Sequence, residues 1–260
     1  YSPTMMSIVT SQPEATVVIP WRPSPSRLAA YRRVREFWRL VNWPVVTADS
    51  DTEVFSLSQA RNNGVRKAKT DVVVISDADT VPDIRNVIKA VGDPVGVCWP
   101  FTNYRILPAD SVKTPFNELA DVPYIMAWDG DGPNGVGGCL VATCDEWWRL
   151  GGQPPEFVGW GWEDTAFTCI VETLSEVRRV RGNIYAWEHN TDAEKYTGAK
   201  ADSPGWDRDI TRNEELFRPY KAAYGRAWLM REIIKERTGK DPLGDTPNLG
   251  DPALVGRYKP

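Results

Sequence analysis

The sequence predicts an α/β fold, a mostly parallel sheet flanked by helices, with a helical extension toward the C-terminal end. Three observations predict it. Short β-branched runs alternate with amphipathic stretches through the N-terminal half. The run Val72-Val73-Val74-Ile75 is apolar on both faces, as a strand covered on both sides must be. From Asp207 to Arg237 the pattern becomes helical throughout.

Residues 16–19 form the first β-branched run, ended by Pro20, and read as a buried strand. Ser24-Pro25-Ser26 supplies cap chemistry for a helix to about Val41, whose Leu28, Tyr31, Val34, Trp38 and Val41 step by three and four into one buried stripe. Arg32, Arg33, Arg35 and Arg39 fall mostly on the opposite, solvated side. A second strand over 45–48 leads to the acidic loop Asp49-Ser50-Asp51. Ser56 or Ser58 then caps a helix to about Lys69, and a third strand covers 71–76. A short helix over 84–90 and a strand over 95–99 follow. Residues 103–134, dense in Pro, Asp and Gly, are expected to be loops around a cleft. A strand over 138–143, a short helix over 145–150 closed by Gly151-Gly152, a helix over 163–177 and a strand over 179–187 complete the body. The long helix is expected to bend near Pro219, and residues 241–260 to form an extended tail. The organisation expected is an N-terminal segment over 1–14, a main domain over 15–200 and a helical extension with its tail over 201–260. Tyr1 to Thr4 stand ahead of Met5-Met6 like a cloning remnant and are kept out of the fold.

The chain has 260 residues, 31 Lys plus Arg against 35 Asp plus Glu, and a net charge of −4. A mildly acidic chain lacks the basic footprint of a nucleic-acid binder, so no nucleic-acid partner is expected. No apolar run approaches the roughly 18 residues that a membrane span requires, and no charged-then-apolar leader is visible. Cys98, Cys139, Cys144 and Cys169 form no close pair, which fits a reduced, cytoplasmic setting better than a disulfide framework. A zinc site is poorly supported, since His189 is the only histidine. Twelve Trp against seven Phe is unusual: most such residues fill cores, but some of these would serve as flat platforms for sugar rings.

Four stretches carry chemistry. Asp77-Ala78-Asp79 follows the third strand directly. Alternate residues point the same way, so both carboxylates project from its carboxyl end, where open α/β sheets bind ligands. Two close carboxylates repel unless a cation lies between them, and an oxygen site suits Mg²⁺ or Mn²⁺ on a diphosphate. Ser58-Gln59-Ala60-Arg61-Asn62-Asn63-Gly64 opens the helix before that strand and reads equally as an ordinary amphipathic start. In Gly159-Trp160-Gly161-Trp162-Glu163-Asp164, glycines permit a turn and two acids open a helix. Those acids serve either the helix dipole or a base aimed at an acceptor hydroxyl. His189, at the end of the last strand, is of a type to complete a Mn²⁺ site with Asp79.

Taken together, and with Val18-Ile19-Pro20, Gly137-Gly138-Cys139-Leu140-Val141 and the Gly151-Gly152 turn in the same order, these stretches resemble the metal-dependent glycosyltransferases of the GT-A fold, family 2 in particular. The Gly-Trp-Gly-x-Glu-Asp stretch is also similar to galactosyltransferases and to polypeptide N-acetylgalactosaminyltransferases. The resemblance covers about residues 15–192 and makes 15–200 the catalytic domain. It implies a Rossmann-like sheet, a nucleotide-sugar donor, a glycan or protein acceptor and a Mn²⁺ or Mg²⁺ cofactor. It places Asp79 and His189 on the metal, with Asp77 on the metal or on the donor's ribose or sugar. Asp49 or Asp51 falls where the uracil ring would be held, Pro20 and Arg22 in the nucleotide pocket, and Arg61 toward the donor. Asp164, with Glu163 beside it, falls at the acceptor, as do Trp160 and Trp162. Residues 201–260 match nothing in the family.

The activity this implies is transfer of a sugar, from a UDP-sugar by default, to an acceptor hydroxyl. The Glu-Asp pair favours inversion, with Asp164 removing the proton. Two alternatives compete. A sugar nucleotidyltransferase would share the architecture, but the stretch Trp21 to Arg27 has no glycine where such enzymes carry a Gly-rich loop. A carbohydrate-binding protein would use the tryptophans and need neither Asp77 and Asp79 nor Glu163 and Asp164 in this order.

Overall fold

A computed structural model of the chain describes residues 13–129, 137–159, 161–189, 205–242 and 244. Among these residues the fold is a mixed α/β structure with two sheets. The larger sheet takes β1 (Thr16–Pro20), β2 (Val45–Ala48), β3 (Val72–Ser76), β5 (Val97–Trp99), β8 (Cys139–Thr143) and β9 (Val177–Arg179), in the order β2-β1-β3-β8-β5-β9. β1 runs parallel to β2 and β3, β9 runs parallel to β5, and β8 is antiparallel to both β3 and β5. Every strand but β8 therefore points one way. The β-branched runs that predicted β1 and β3 are buried almost along their whole lengths.

The second sheet takes β4 (Thr80–Pro82), β6 (Asn103–Leu107), β7 (Met126–Asp129) and β10 (Asn183–Trp187), in the order β4-β10-β6-β7. It is built by repetition of one move. From each of β3, β5 and β9 the chain leaves the carboxyl end of a strand in the first sheet, crosses three residues and enters β4, β6 or β10 of the second. The smaller sheet thus spans the carboxyl ends of the parallel strands, where ligands of open α/β sheets bind.

This corrects the expected loop over 103–134, because β6 and β7 lie within it. It also divides the expected strand over 179–187 into β9 and β10, one in each sheet, and ends the helix expected over 163–177 at Leu174. The helices are α1 (Leu28–Phe37), α2 (Leu57–Arg66), α3 (Ile84–Gly92), α4 (Cys144–Arg149), α5 (Glu163–Leu174), α6 (Gly205–Ala223) and α7 (Ala227–Thr238). Ser56, Asp83 and Thr143 cap α2, α3 and α4 through their side chains. Pro219 sits inside α6, and the expected bend is instead a complete break at Gly225, whose φ of +69° a side chain would resist. The N-terminal segment and the tail beyond residue 244 lie outside the described residues.

The core lies between the first sheet and its helices: Trp38, Trp99, Trp147 and Trp187 are fully buried in it. The stripe expected on α1 is there, with Val34 and Trp38 at 0% exposure, though Leu28 at its start is exposed. Arg33, expected on the solvated side, instead lies 3.7 Å over the Phe116 ring and donates to the Thr114 carbonyl. α6 and α7 pack against α5. The four cysteines are free thiols, and no helix among the described residues is long and apolar enough to cross a membrane.

Candidate active site

A cleft of about 540 Å³ is lined by Asp77, Asp79, Glu163 and Asp164 together with Tyr104, Ile106, Met126 and Trp128 of the smaller sheet. Each carboxylate is delivered by a different feature. Asp77 and Asp79 lie in the crossing from β3 to β4. Glu163 and Asp164 open α5, after a turn in which Trp162 takes the left-handed conformation at φ +71°. A tryptophan at positive φ is strained, and its ring is held by stacking on Phe217 of α6 at 4.9 Å.

Arg61 of α2 joins the two acidic features. It is 2% exposed; its Nη2 donates to Asp77 Oδ1 at 2.6 Å, and its Nη1 donates to Asp164 Oδ1. Burial alone would lower the Arg61 pKa, but the charges of Asp164 and Asp77 outweigh it and hold the guanidinium protonated. Asp77 is also held through its other oxygen, which accepts from the Gly138 backbone N–H at 2.8 Å. Burial pushes the Asp77 carboxyl up, Arg61 opposes this, and Asp164 and Asp79 reinforce it, so it sits above its ordinary range.

Asp79 has a different partner. His189 Nε2 donates to its Oδ2 at 2.6 Å. Burial would raise the Asp79 pKa, but the His189 hydrogen bond and the charge of Arg27 outweigh it, and the carboxyl is held below its usual range. His189 is placed by the end of β10, where the Trp187 N–H bonds the Asp79 carbonyl at 3.1 Å.

Among the described residues no three His, Cys, Asp or Glu side chains cluster closely enough to hold a metal unaided. A cation held by Asp79 Oδ2 and His189 Nε2, which lie 2.6 Å apart, would take the place of the proton that Nε2 donates and leave the imidazole proton on Nδ1, which is buried with no hydrogen-bond partner among those residues. A pair of this kind fits Mg²⁺ or Mn²⁺ that arrives with substrate phosphates, since such ions commonly take one or two protein ligands and complete their sphere from the substrate and water. Asp77, with both oxygens engaged, is less available for that purpose than its spacing implied.

The remaining expected site residues divide. Pro20, Arg22 and Trp162 line the cleft. Arg22, however, clamps the acidic loop: its Nε lies 3.0 Å from both Asp49 oxygens, and its other nitrogens donate to the Ser50, Thr52 and Glu53 carbonyls. Asp51 accepts from Asn63 at 3.2 Å and lines a separate cavity beside α2. Arg61, expected to face the donor, is buried between two carboxylates. Trp160 lies outside the described residues.

The sequence reading missed three groups. Tyr104 and Trp128 form an edge-to-face pair at 5.4 Å on the sheet wall of the cleft. Burial and the three nearby aspartates push the Tyr104 pKa well above its ordinary value, so it remains a phenol able to donate a hydrogen bond. Gln153 is completely buried and bonds both Arg61 and Asp164. Its only sequence signal was its position next to the Gly151-Gly152 turn.

Comparison with solved structures finds the following similarities. The chain is similar to Drosophila β-1,4-galactosyltransferase 7, solved with manganese, UDP-Gal and xylobiose, at 17% identity over 79% of each chain and a TM-score of 0.49. It is also similar to GalNAc-T7, solved with UDP, GalNAc and Mn²⁺, at 14% identity over 87% of this chain and 55% of that one, TM-score 0.47. A third is S. aureus TarS 1–349, at 11% identity over 86% and 70% of the two chains, TM-score 0.48. No family model and no curated protein matches the chain.

Proposed function

We propose that the protein is a metal-dependent glycosyltransferase that moves a sugar from a nucleotide diphosphate sugar, UDP-linked by default, to an acceptor hydroxyl with inversion. One observation supports this most: a single cleft at the carboxyl ends of the parallel strands holds an Asp79–His189 pair suited to a diphosphate-bound cation and a separate carboxylate, Asp164, at a helix start. The proposal includes the division into a catalytic domain over 15–200 and a helical extension from 201, the latter bracing α5.

Asp79 and His189 would hold the cation, which when bound offsets the charge of the leaving diphosphate. Asp164 uses Oδ1 for Arg61, so its Oδ2 is the oxygen available to an acceptor. As the acceptor oxygen bonds the anomeric carbon and the bond to the diphosphate breaks, the hydroxyl proton passes to Asp164 Oδ2. Arg61 keeps Asp164 aimed through the Nη1 hydrogen bond to Oδ1. Tyr104 and Trp128 offer an aromatic wall against which a glycan acceptor would lie.

Thermal stabilisation tests the donor half. UDP, GDP, CDP and dTDP are each added with Mn²⁺ and with chelator, and a ligand that binds the native state raises the Tm. One nucleotide is expected to raise it only with the metal, and Asp79→Ala is expected to abolish that shift. A shift in Asp79→Ala equal to wild type would remove Asp79 from the metal. A shift with free sugar, indifferent to nucleotide and metal, would make the protein a carbohydrate binder instead.

Gly137 provides a sharper test of the carboxylate geometry. A Cβ built there would stand 2.7 Å from Asp164 Oδ2 and 3.4 Å from Asp77 Oδ2. Gly137→Ala must therefore displace Asp164, and a misplacement near 1 Å lowers turnover by about 100-fold. Wild-type kcat in this variant would mean that the orientation of Asp164 is unimportant.

A further inference from the structure

We infer that Gln153 is a positioning residue that fixes the orientation of the Asp164 carboxylate and so turns one of its oxygens to the acceptor. The inference rests on the glycosyltransferase reading for its kinetic consequence, but on geometry alone for the arrangement.

The side-chain amide stands between a donor-only and an acceptor-only group. Its Oε1 accepts from Arg61 Nη1 at 3.0 Å, and its Nε2 donates to Asp164 Oδ1 at 3.3 Å. Guanidinium offers no acceptor and an ionised carboxylate no donor, so the amide has only one satisfying orientation. Asp164 Oδ1 thereby receives two donors, one from α2 and one from Gln153, and rotation about the terminal bond would break both. Oδ2 is left on the side of Gly137, where a Cβ would touch it.

The backbone of Gln153 is fixed just as firmly. Asn62, next to Arg61 on α2, donates from Nδ2 to the Gln153 carbonyl at 2.8 Å and accepts from the Gln153 N–H at 3.1 Å through Oδ1. The same Oδ1 accepts from the buried Trp147 indole at 3.0 Å. From the other side, Arg237 of α7 donates to the carbonyls of Gly151 and Gly152 at 3.1 and 3.2 Å. Adjacent residues of one helix therefore grip the main chain and side chain of Gln153, and the C-terminal helices close the grip from behind. A residue with 0% exposure that served packing alone would be better apolar, because a buried amide is costly unless its hydrogen bonds are made.

The experiment compares Gln153→Met with Gln153→Glu. Methionine keeps the length and removes both hydrogen bonds. Glutamate keeps an oxygen for Arg61 and replaces the donor to Asp164 with a second carboxylate. Both variants are expected to lower kcat by about 10- to 100-fold, with the Mn²⁺-dependent nucleotide Tm shift and the donor KM within twofold of wild type. A crystal structure of Gln153→Met is expected to show the Asp164 carboxylate rotated away from its wild-type orientation. Wild-type kcat in Gln153→Glu would reduce Gln153 to a partner of Arg61 alone, and an unrotated Asp164 in Gln153→Met would overturn the inference. If the wild-type protein turns over no nucleotide sugar, the glycosyltransferase reading fails, and the crystallographic comparison still decides the role of Gln153.

Discussion

Asp164→Asn is expected to lower turnover by about 10²- to 10⁴-fold, the range that general base catalysis contributes, and to leave metal-dependent nucleotide binding nearly intact. Asparagine has almost the same shape, and its carbonyl oxygen can still accept from Arg61 Nη1, so the geometry of α5 and the turn at Trp162 need not change. What is lost is the ability of the second atom, on the side of Gly137, to take a proton. Arg61 keeps a full ion pair with Asp77 at 2.6 Å, so the buried charge remains compensated. The measurement is kcat with a saturating donor, alongside the nucleotide thermal shift as a control on folding and donor binding. Turnover within a few-fold of wild type would take the base role from Asp164 and leave it to orient the acceptor, as in a retaining enzyme. Loss of the nucleotide shift as well would mean that Asp164 supports the donor side.

The parts of the fold that were legible in the sequence are those whose physical cause is local. The runs of β1, β2 and β3 are rich in β-branched residues and that of β8 is mostly apolar, and each lies in the first sheet within a residue or two of the expected bounds. The second sheet had no such signal. β4 is three residues long and contains Pro82, which an edge strand tolerates and a pattern search rejects. β7 is the other edge, and Met126 and Trp128 are exposed at 51% and 41%, so no buried–exposed alternation marks it. The crossing between β9 and β10 was invisible because only residues 180–182 separate the two strands, and they read as one continuous run.

The same distinction applies to the cleft. Asp77, Asp79 and the Glu163-Asp164 pair could be read because the local motif sets their direction: a strand end for the first two, a helix start for the others. Arg61 and Arg22 could be singled out, but not their partners. Arg61 meets Asp164 across 103 positions and Gln153 across 92, and Arg22 meets the loop at Ser50 to Glu53 across some 30. An isolated arginine looks the same in sequence whether it faces a phosphate or a buried carboxylate. Gln153, Tyr104 and Trp128 belong to no motif, and only the tertiary fold brings them to the cleft.

Replacing Arg61 by methionine is expected to have the largest effect on stability. The side chain is 98% removed from solvent and carries the one positive charge among the described residues that contacts both Asp77 and Asp164. Removing one member of a buried ion pair typically costs about 3–5 kcal/mol, which in a chain of this size is a fall in Tm of about 10 °C. The sign of the pH dependence follows from Asp77. Burial, Asp164 and Asp79 already hold its pKa above the ordinary value against the pull of Arg61, and without Arg61 it rises further. A carboxylate whose folded pKa is raised favours the folded state below its unfolded pKa and loses that contribution as pH rises through the folded value. The deficit of Arg61→Met relative to wild type should therefore be largest near neutrality, shrink as pH falls through the raised folded pKa and be smallest below about pH 4, where the unfolded chain also protonates its aspartates. Adding Asp164→Asn to Arg61→Met removes one of the two stranded charges and should recover part of the lost Tm, making the two substitutions less than additive. Additive losses, or an Arg61→Met Tm within 2 °C of wild type by the ~2–4 °C per kcal/mol scale, would mean that water or a rearranged side chain compensates the carboxylates. In that case Arg61 would not be the element that holds the β3 acid and the α5 acid in one site.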